Sequence, residues 1–258
     1  MNLQQKKDNS FLATEPLGRL LLKLSLPTVT AQVINMLYNI VDRIYIGHIP
    51  ETGALALTGV RGMYASDHDR ICLCSLGWQR RCPQSFYFMG KGDKESAEQT
   101  LGNCFTTQIV VSLLLTLILF TGNKSFLMAF GASENTIPYA VAYMNIYSLG
   151  TIFVQLTLGM NAFITAQGFA KTSMLSVLVG AASNIILDPI FIFALHMGVR
   201  GAALATIVSQ ALSCTWVLHF LMGKKSYLKI HRLQYEAEER YHPSQPCFRT
   251  FHFYHAVQ

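Results

Sequence analysis

AASNIILDPIFIF, Ala181 to Phe193, places an amide and a carboxylate inside an otherwise apolar run. Asn184 and Asp188 are four residues apart, so they share one face of a helix. Pro189, directly after, removes a backbone donor and loosens the carbonyl one turn back. An acid inside a membrane span costs about 2.5 to 3.5 kcal/mol on insertion scales, and the arrangement therefore predicts a polar functional site. The plainer alternative is a buried hydrogen bond between the two side chains that only ties helices together.

The surrounding chain makes a membrane setting the natural one. Of its 258 residues 51% are hydrophobic and 13% charged, against about 25% charged in soluble domains, and its mean hydropathy is +0.32. The expected fold is all-α, a polytopic membrane helix bundle. Its length allows roughly five or six spans and leaves no room for a sizeable soluble domain. The net charge of +6 fits basic loops between apolar segments better than nucleic-acid binding. The start of the chain is polar and the apolar run from Leu20 has no small-residue cleavage pattern, so no cleavable signal is expected.

Residues 1–16 read as a cytoplasmic tail. The run from Leu17 to Ile49 is long enough to cross a bilayer, with Pro27 as a helix-bending residue. It carries Gln32, Asn35, Asn39 and Asp42. Asn35, Asn39 and Asp42 follow i, i+4, i+7 spacing and form one polar stripe, although Asp42 beside Arg43 also fits a membrane edge. A second span begins at residue 55 but breaks off at Arg61, where acids, arginines and His68 make crossing unfavourable. Cys72, Cys74 and Cys82 beside His68 match no familiar paired zinc spacing, so no structural metal is expected. Further spans are expected over residues 104–122, 140–165, 174–195 and 201–221. The last begins GAALAT, where small residues permit close helix approach.

Charge gives the topology. With the N-terminus cytoplasmic and a span over residues 54–80, Lys6, Lys7, Arg19, Lys23, Lys91, Lys94, Lys171, Lys224, Lys225, Lys229 and Arg232 fall inside. With Arg43 taken as part of the first span, only Lys124 and Arg200 fall outside, which is the asymmetry that the positive-inside rule requires. Without the second span the later loops change sides. The charges thus presuppose six spans, one of which the residues do not spell.

The text LSLPTVTAQVINMLYNIVDRIYIGHIPETGALALTGV, then MGKGDKESAEQTLGN, then GMNAFITAQGFAKTSMLSVLVGAASNIILDPIFIFALHMGVRGAALATIVSQ resembles the multidrug and toxic compound extrusion family of cation-coupled antiporters, its bacterial multidrug export members above all. The resemblance implies a lobe over residues 17–233, the first of two six-span lobes. It also implies roles residue by residue. Asp42, Tyr143, Asn184, Asp188 and Thr206 would form a proton or sodium site. Pro27, with Gln32, Asn35 and Asn39 on the same span, would shape the substrate cavity and the bend of the helix.

Back-translated and read one base later, Gly62 to Cys72 permits V-C-M-P-L-I-M-I-V-S-A, an apolar span, and the same shift on Cys247 to Gln258 permits A-F-G-L-S-T-F-I-M-Q. Residues 61–87 and 234–258 are therefore expected to be out-of-frame translation. The implied function is multidrug efflux by proton- or sodium-coupled antiport in a bacterial plasma membrane. The implied partners are the bilayer, lipophilic or cationic drugs and a missing C-terminal lobe. No cofactor beyond the coupling ion and no enzymatic reaction is expected, and the chain should be inactive alone. The alternatives are a lipid-precursor flippase of the wider superfamily or a non-transporting membrane fragment.

Overall fold

A computed structural model describes residues 16–49, 53, 58, 82, 85–129, 136–223 and 226–229, and all regular elements among them are helical. The first helix, α1 (Leu17–Gly47, 31 residues), runs unbroken through Pro27. Next to the proline, Thr28 and Thr30 return their hydroxyl protons to the carbonyls of Leu24 and Leu26 at 2.9 and 2.8 Å. In hydrocarbon such local bonds satisfy hydroxyls that water cannot reach. Of the sequence expected to be out of frame, only Cys82 and residues 85–87 are described, with Cys82 a buried free thiol. His68, Cys72, Cys74, most of the second span and residues 234–258 lie outside the described residues.

Helix α2 (Lys94–Ala129) starts behind Asp93, whose two carboxylate oxygens accept from the Ser96 amide at 3.1 Å and the Ser96 hydroxyl at 2.6 Å. Those bonds occupy donors that a helix start leaves without intrahelical partners. The expected single span over residues 140–165 is instead two helices, α3 (Ile137–Leu149) and α4 (Thr151–Ala166), bent by 52° at Gly150. The cause is tertiary. A methyl group on Gly150 would come within 2.6 Å of the Ile207 side chain, so the chain can approach its neighbour here only without a Cβ. The carbonyl of Ser148 at the break accepts from Thr116 of α2 at 3.1 Å and from Thr151 at 2.7 Å. A broken span survives in a bilayer only when its backbone groups are satisfied in this way.

Helix α5 (Ala170–Pro189) continues into a π-helical turn, Ile190–Ala194. The wider turn follows directly from the proline, which cannot donate to the carbonyl four residues before it. A tight turn with positive φ at His196 and Gly198 then leads into α6 (Val199–Met222). Among the described residues four helices are long and apolar enough to cross a membrane, and the bent α3 and α4 pair brings the number to five when counted as one span.

Helix α5 packs between α1 and α6, α6 packs also on α3 and α4, and α2 packs on α3 and α4. Position α6 is central, and its Ala202, Ala203, Ala205 and Val217 are fully buried. Core side chains gather toward the two ends of the bundle. Ile46, Tyr143, Ile192 and Val199 fill one, and Leu101, Met160, Phe163 and Leu221 fill the other. Leu22, Leu26, Met36 and Leu37 of α1 stay exposed, as suits a surface whose solvent is hydrocarbon.

Candidate functional site

The site is built from two neighbouring helices. Asp188 of α5 is fully buried and Asn184, one turn earlier, is 1% exposed. The Asn184 amide donates to Asp188 Oδ1 at 3.3 Å. Both residues belong to α5, so this buried bond lies within one helix. What crosses between helices is a contact of acids. Asp42 of α1, 4% exposed, faces Asp188 across the packed α1–α5 interface, near enough for the two carboxyls to interact electrostatically.

An ionised carboxylate only accepts hydrogen bonds, so two of them facing each other need a positive particle between them. A buried pair of like charges would otherwise be held together at a cost of several kcal/mol. Asp188 Oδ2 and Asn184 Oδ1 are buried acceptors with no donor among the described residues. This donor set, two carboxylates and an amide oxygen, can hold a proton or ligate a hard cation.

The other residues expected at the site divide. Tyr143 of α3, 3% exposed, packs in the same core cluster as Ile46 and Ile192, which stand one turn beyond Asp42 and Asp188. Thr206 of α6 is buried, and its hydroxyl proton goes to the Ala202 carbonyl at 3.0 Å, leaving its oxygen as an acceptor. On α1, Asn39 and Asn35 are half-buried, and the Asn39 amide donates to the Asn35 carbonyl. Gln32 is exposed and Pro27 is buried, both well along α1 from the acid pair.

Several polar residues carry structure that the sequence did not reveal. Asn161 of α4 and Ser176 of α5 exchange hydrogen bonds at 2.8 and 3.1 Å, and Ser213 of α6 donates to the Ser176 carbonyl at 2.8 Å. Gln167, after α4, is fully buried and its Oε1 accepts from Ser226 Oγ, Tyr227 N and Leu228 N. Asn161 sits in an apolar run as Asn184 does, and that signal was available. Gln167 gives no local signal at all.

Comparison with known proteins supplies the rest. The MatE family model matches residues 75–190. Multidrug export protein MepA of Staphylococcus haemolyticus is 26% identical over 208 residues, covering 80% of this chain and 45% of the relative. Over these residues the chain is similar to the MATE family. Protein DETOXIFICATION 42 of Arabidopsis thaliana, 33% identical over 117 residues, covers 45% of this chain and 23% of its own length. A solved MATE protein in a bent conformation superposes with a TM-score of 0.81 at 23% identity, over 90% of this chain and 52% of that one, a likeness of fold. The chain thus spans about half the length of the MATE relatives it matches across most of its own residues. Its apolar helices make it a multi-pass membrane protein, similar over these residues to a family of transporters.

Proposed function

We propose that this chain is the N-terminal lobe of a MATE-type multidrug efflux antiporter, in which a proton or sodium ion bound at Asp42 and Asp188 is exchanged for an exported lipophilic or cationic compound. The observation that carries the reading is the buried contact of the two carboxyls across α1 and α5. Carboxyls so placed tie cation occupancy to the fit between two helices, since an empty, ionised pair pushes α1 and α5 apart and an occupied pair draws them together. Asn184 orients Asp188, Thr206 and Tyr143 complete the polar wall, and Pro27, with Gln32, Asn35 and Asn39, shapes the part of α1 that responds. The buried polar side chains of the described spans are acids, amides and hydroxyls, with no buried Lys or Arg among the described residues. That favours a cation-coupled export lobe over a flippase for anionic lipid precursors.

The substrate would sit between this lobe and a C-terminal lobe, because transporter sites lie at repeat interfaces near the midplane. The setting is a bacterial plasma membrane, and the chain alone does not transport. The out-of-frame reading of residues 61–87 and 234–258 belongs to the same proposal, and coding DNA that fails to spell apolar segments one base out would end it.

The test is cation binding to the purified chain, followed as sodium-22 retention and as proton uptake on a pH step. One of the two signals should be present in the unsubstituted chain and lost in both Asp42→Asn and Asp188→Asn. Equal signals in all three proteins would sink the site. Ethidium efflux from vesicles holding only this chain, abolished by Asp188→Asn, would sink the claim that the lobe is inactive alone.

A further inference from the structure

At the end of the lobe where α1 stops and α5 turns into α6, a cavity of about 480 Å³ is lined by Ile49, Pro138, Ala142, Ile192, His196 and Arg200. By the charge asymmetry this is the outer end. Ile49, just past the end of α1, follows Asp42 by seven residues and Ile192 follows Asp188 by four, so the cavity opens one to two turns beyond the acid pair. An apolar layer lies at the level between them along the chain. It includes Ile46, Tyr143 and Ile192 of a larger buried cluster, exposed by 0%, 3% and 3%. Ile192 belongs both to that layer and to the cavity wall.

Ile192 also sits in the π-helical turn. Such turns are single wide loops of helix found often at functional sites, and they relax to α geometry by a small backbone shift that moves the side chains they carry. The turn is held from behind by Gly201, where an added methyl group would meet the Phe191 carbonyl oxygen at 2.6 Å.

We propose that this cavity is the outer vestibule through which protons reach Asp42 and Asp188, with Ile192 on the π turn as the movable barrier. The proposal rests on the reading of the acid pair as the coupling site. Vestibule chemistry selects the proton. Arg200, exposed at the rim beside His196, places positive charge there, and the layer beneath is apolar apart from the Tyr143 hydroxyl. A sodium ion crossing it would give up water with almost no oxygen ligands in exchange, whereas a proton passes along a transient file of water. Around α5 the ionisable groups near this level are Tyr38, Asp42, Arg43 and Tyr45 of α1 with His48 just after it, His196 in the turn and Arg200 of α6; α4 has none, and Tyr139, Tyr143 and Tyr147 stand on the nearby α3. Asp42 is the one carboxyl among them.

The experiment follows the infrared carboxyl bands of the purified chain after a rapid pH step, with Ala142→Cys either free or labelled by a bulky cationic thiosulfonate. Met222→Cys, at the opposite end and 71% exposed, is labelled as the control. Labelling at Ala142 should slow the carboxyl response by about tenfold or more, and Ile192→Ala should quicken it, while labelling at Met222 changes nothing. An Ala142→Cys thiol that does not react, or a response that labelling leaves unchanged, overturns the vestibule. A response to sodium at fixed pH that Ala142 labelling blocks overturns its selectivity. Absence of any carboxyl response, with Asp188→Asn indistinguishable from the unsubstituted chain, overturns the coupling site and the vestibule with it.

Discussion

Gly201 at the start of α6 lies against the carbonyl of Phe191 in the π turn, so near that a Cβ at position 201 would stand 2.6 Å from the oxygen and 2.7 Å from the carbon. Both obstructing atoms are backbone, and backbone inside a packed turn has little freedom to yield. Gly201→Ala is therefore expected to lower stability by about 1 to 3 kcal/mol, the usual range for overpacking. Thermal unfolding of the purified protein in detergent would show it, and an unchanged midpoint would mean that the turn and α6 are not in fixed contact.

Gly159 of α4 presents the opposite case. A methyl group there would strike the side-chain amide of Gln108 on α2. The obstructing group is the far end of a flexible side chain, which can swing aside. Gly159→Ala should accordingly cost less than Gly201→Ala, and Gln108→Ala should recover most of the loss in the double variant. Additive effects of the two changes would show that the contact does not exist.

The contrast between these glycines bears on what the sequence made legible. Asn184 and Asp188 stood out because a polar pair in an apolar run has few uses, and helical spacing alone put them on one face. Asp42 stood out for the same reason, but nothing in either segment states that the two acids meet. That comes from the packing of α1 on α5. The bend at Gly150 was invisible because hydropathy runs evenly through it, and its cause, Ile207, lies on another helix. Gln167 gave no signal because its three donors come 59 to 61 residues later. Periodicity reports which face a residue occupies, and only the fold reports what occupies the other side.

Gln167 gives the third prediction. Its single oxygen accepts from Ser226, Tyr227 and Leu228, at 3.0, 2.9 and 3.1 Å, and fastens the segment after α6 to the turn between α4 and α5. Beside it, Lys229 N donates to Glu98 at 3.0 Å, and Glu98 pairs with Lys94 at 3.3 Å. In Gln167→Leu the buried donors lose their acceptor, at about 1 to 3 kcal/mol for each group left unsatisfied. Hydrogen exchange at the Tyr227 and Leu228 amides should rise well above that of the α6 interior. Retained protection would show that the segment is held by something else.

Asp93 supplies a pH dependence outside the spans. The Ser96 hydroxyl and amide hold its carboxyl below the usual carboxylate range. A lowered folded value means that the ionised cap stabilises the helix at pH above the unfolded value of about 3.9, and that this contribution fades as pH falls through the folded one. The stability difference between the unsubstituted protein and Asp93→Ala should be constant from about pH 7 to 5 and shrink below about pH 4. A difference that persists undiminished in acid would mean that the carboxylate charge has no part in the cap.

The bend at Gly150 governs how the lobe can be assembled. With 13 and 16 residues, α3 and α4 are about 20 and 24 Å long, each short of the roughly 30 Å hydrocarbon layer. Neither half can rest in lipid alone, and the carbonyl left open at Ser148 finds one of its two donors on α2. The bent α3 and α4 span is thus a guest of its neighbours. It acquires a stable position only when α2 has been laid down before it and α6 closes over it afterwards, so a helix synthesised later is the one that fixes an earlier one in place.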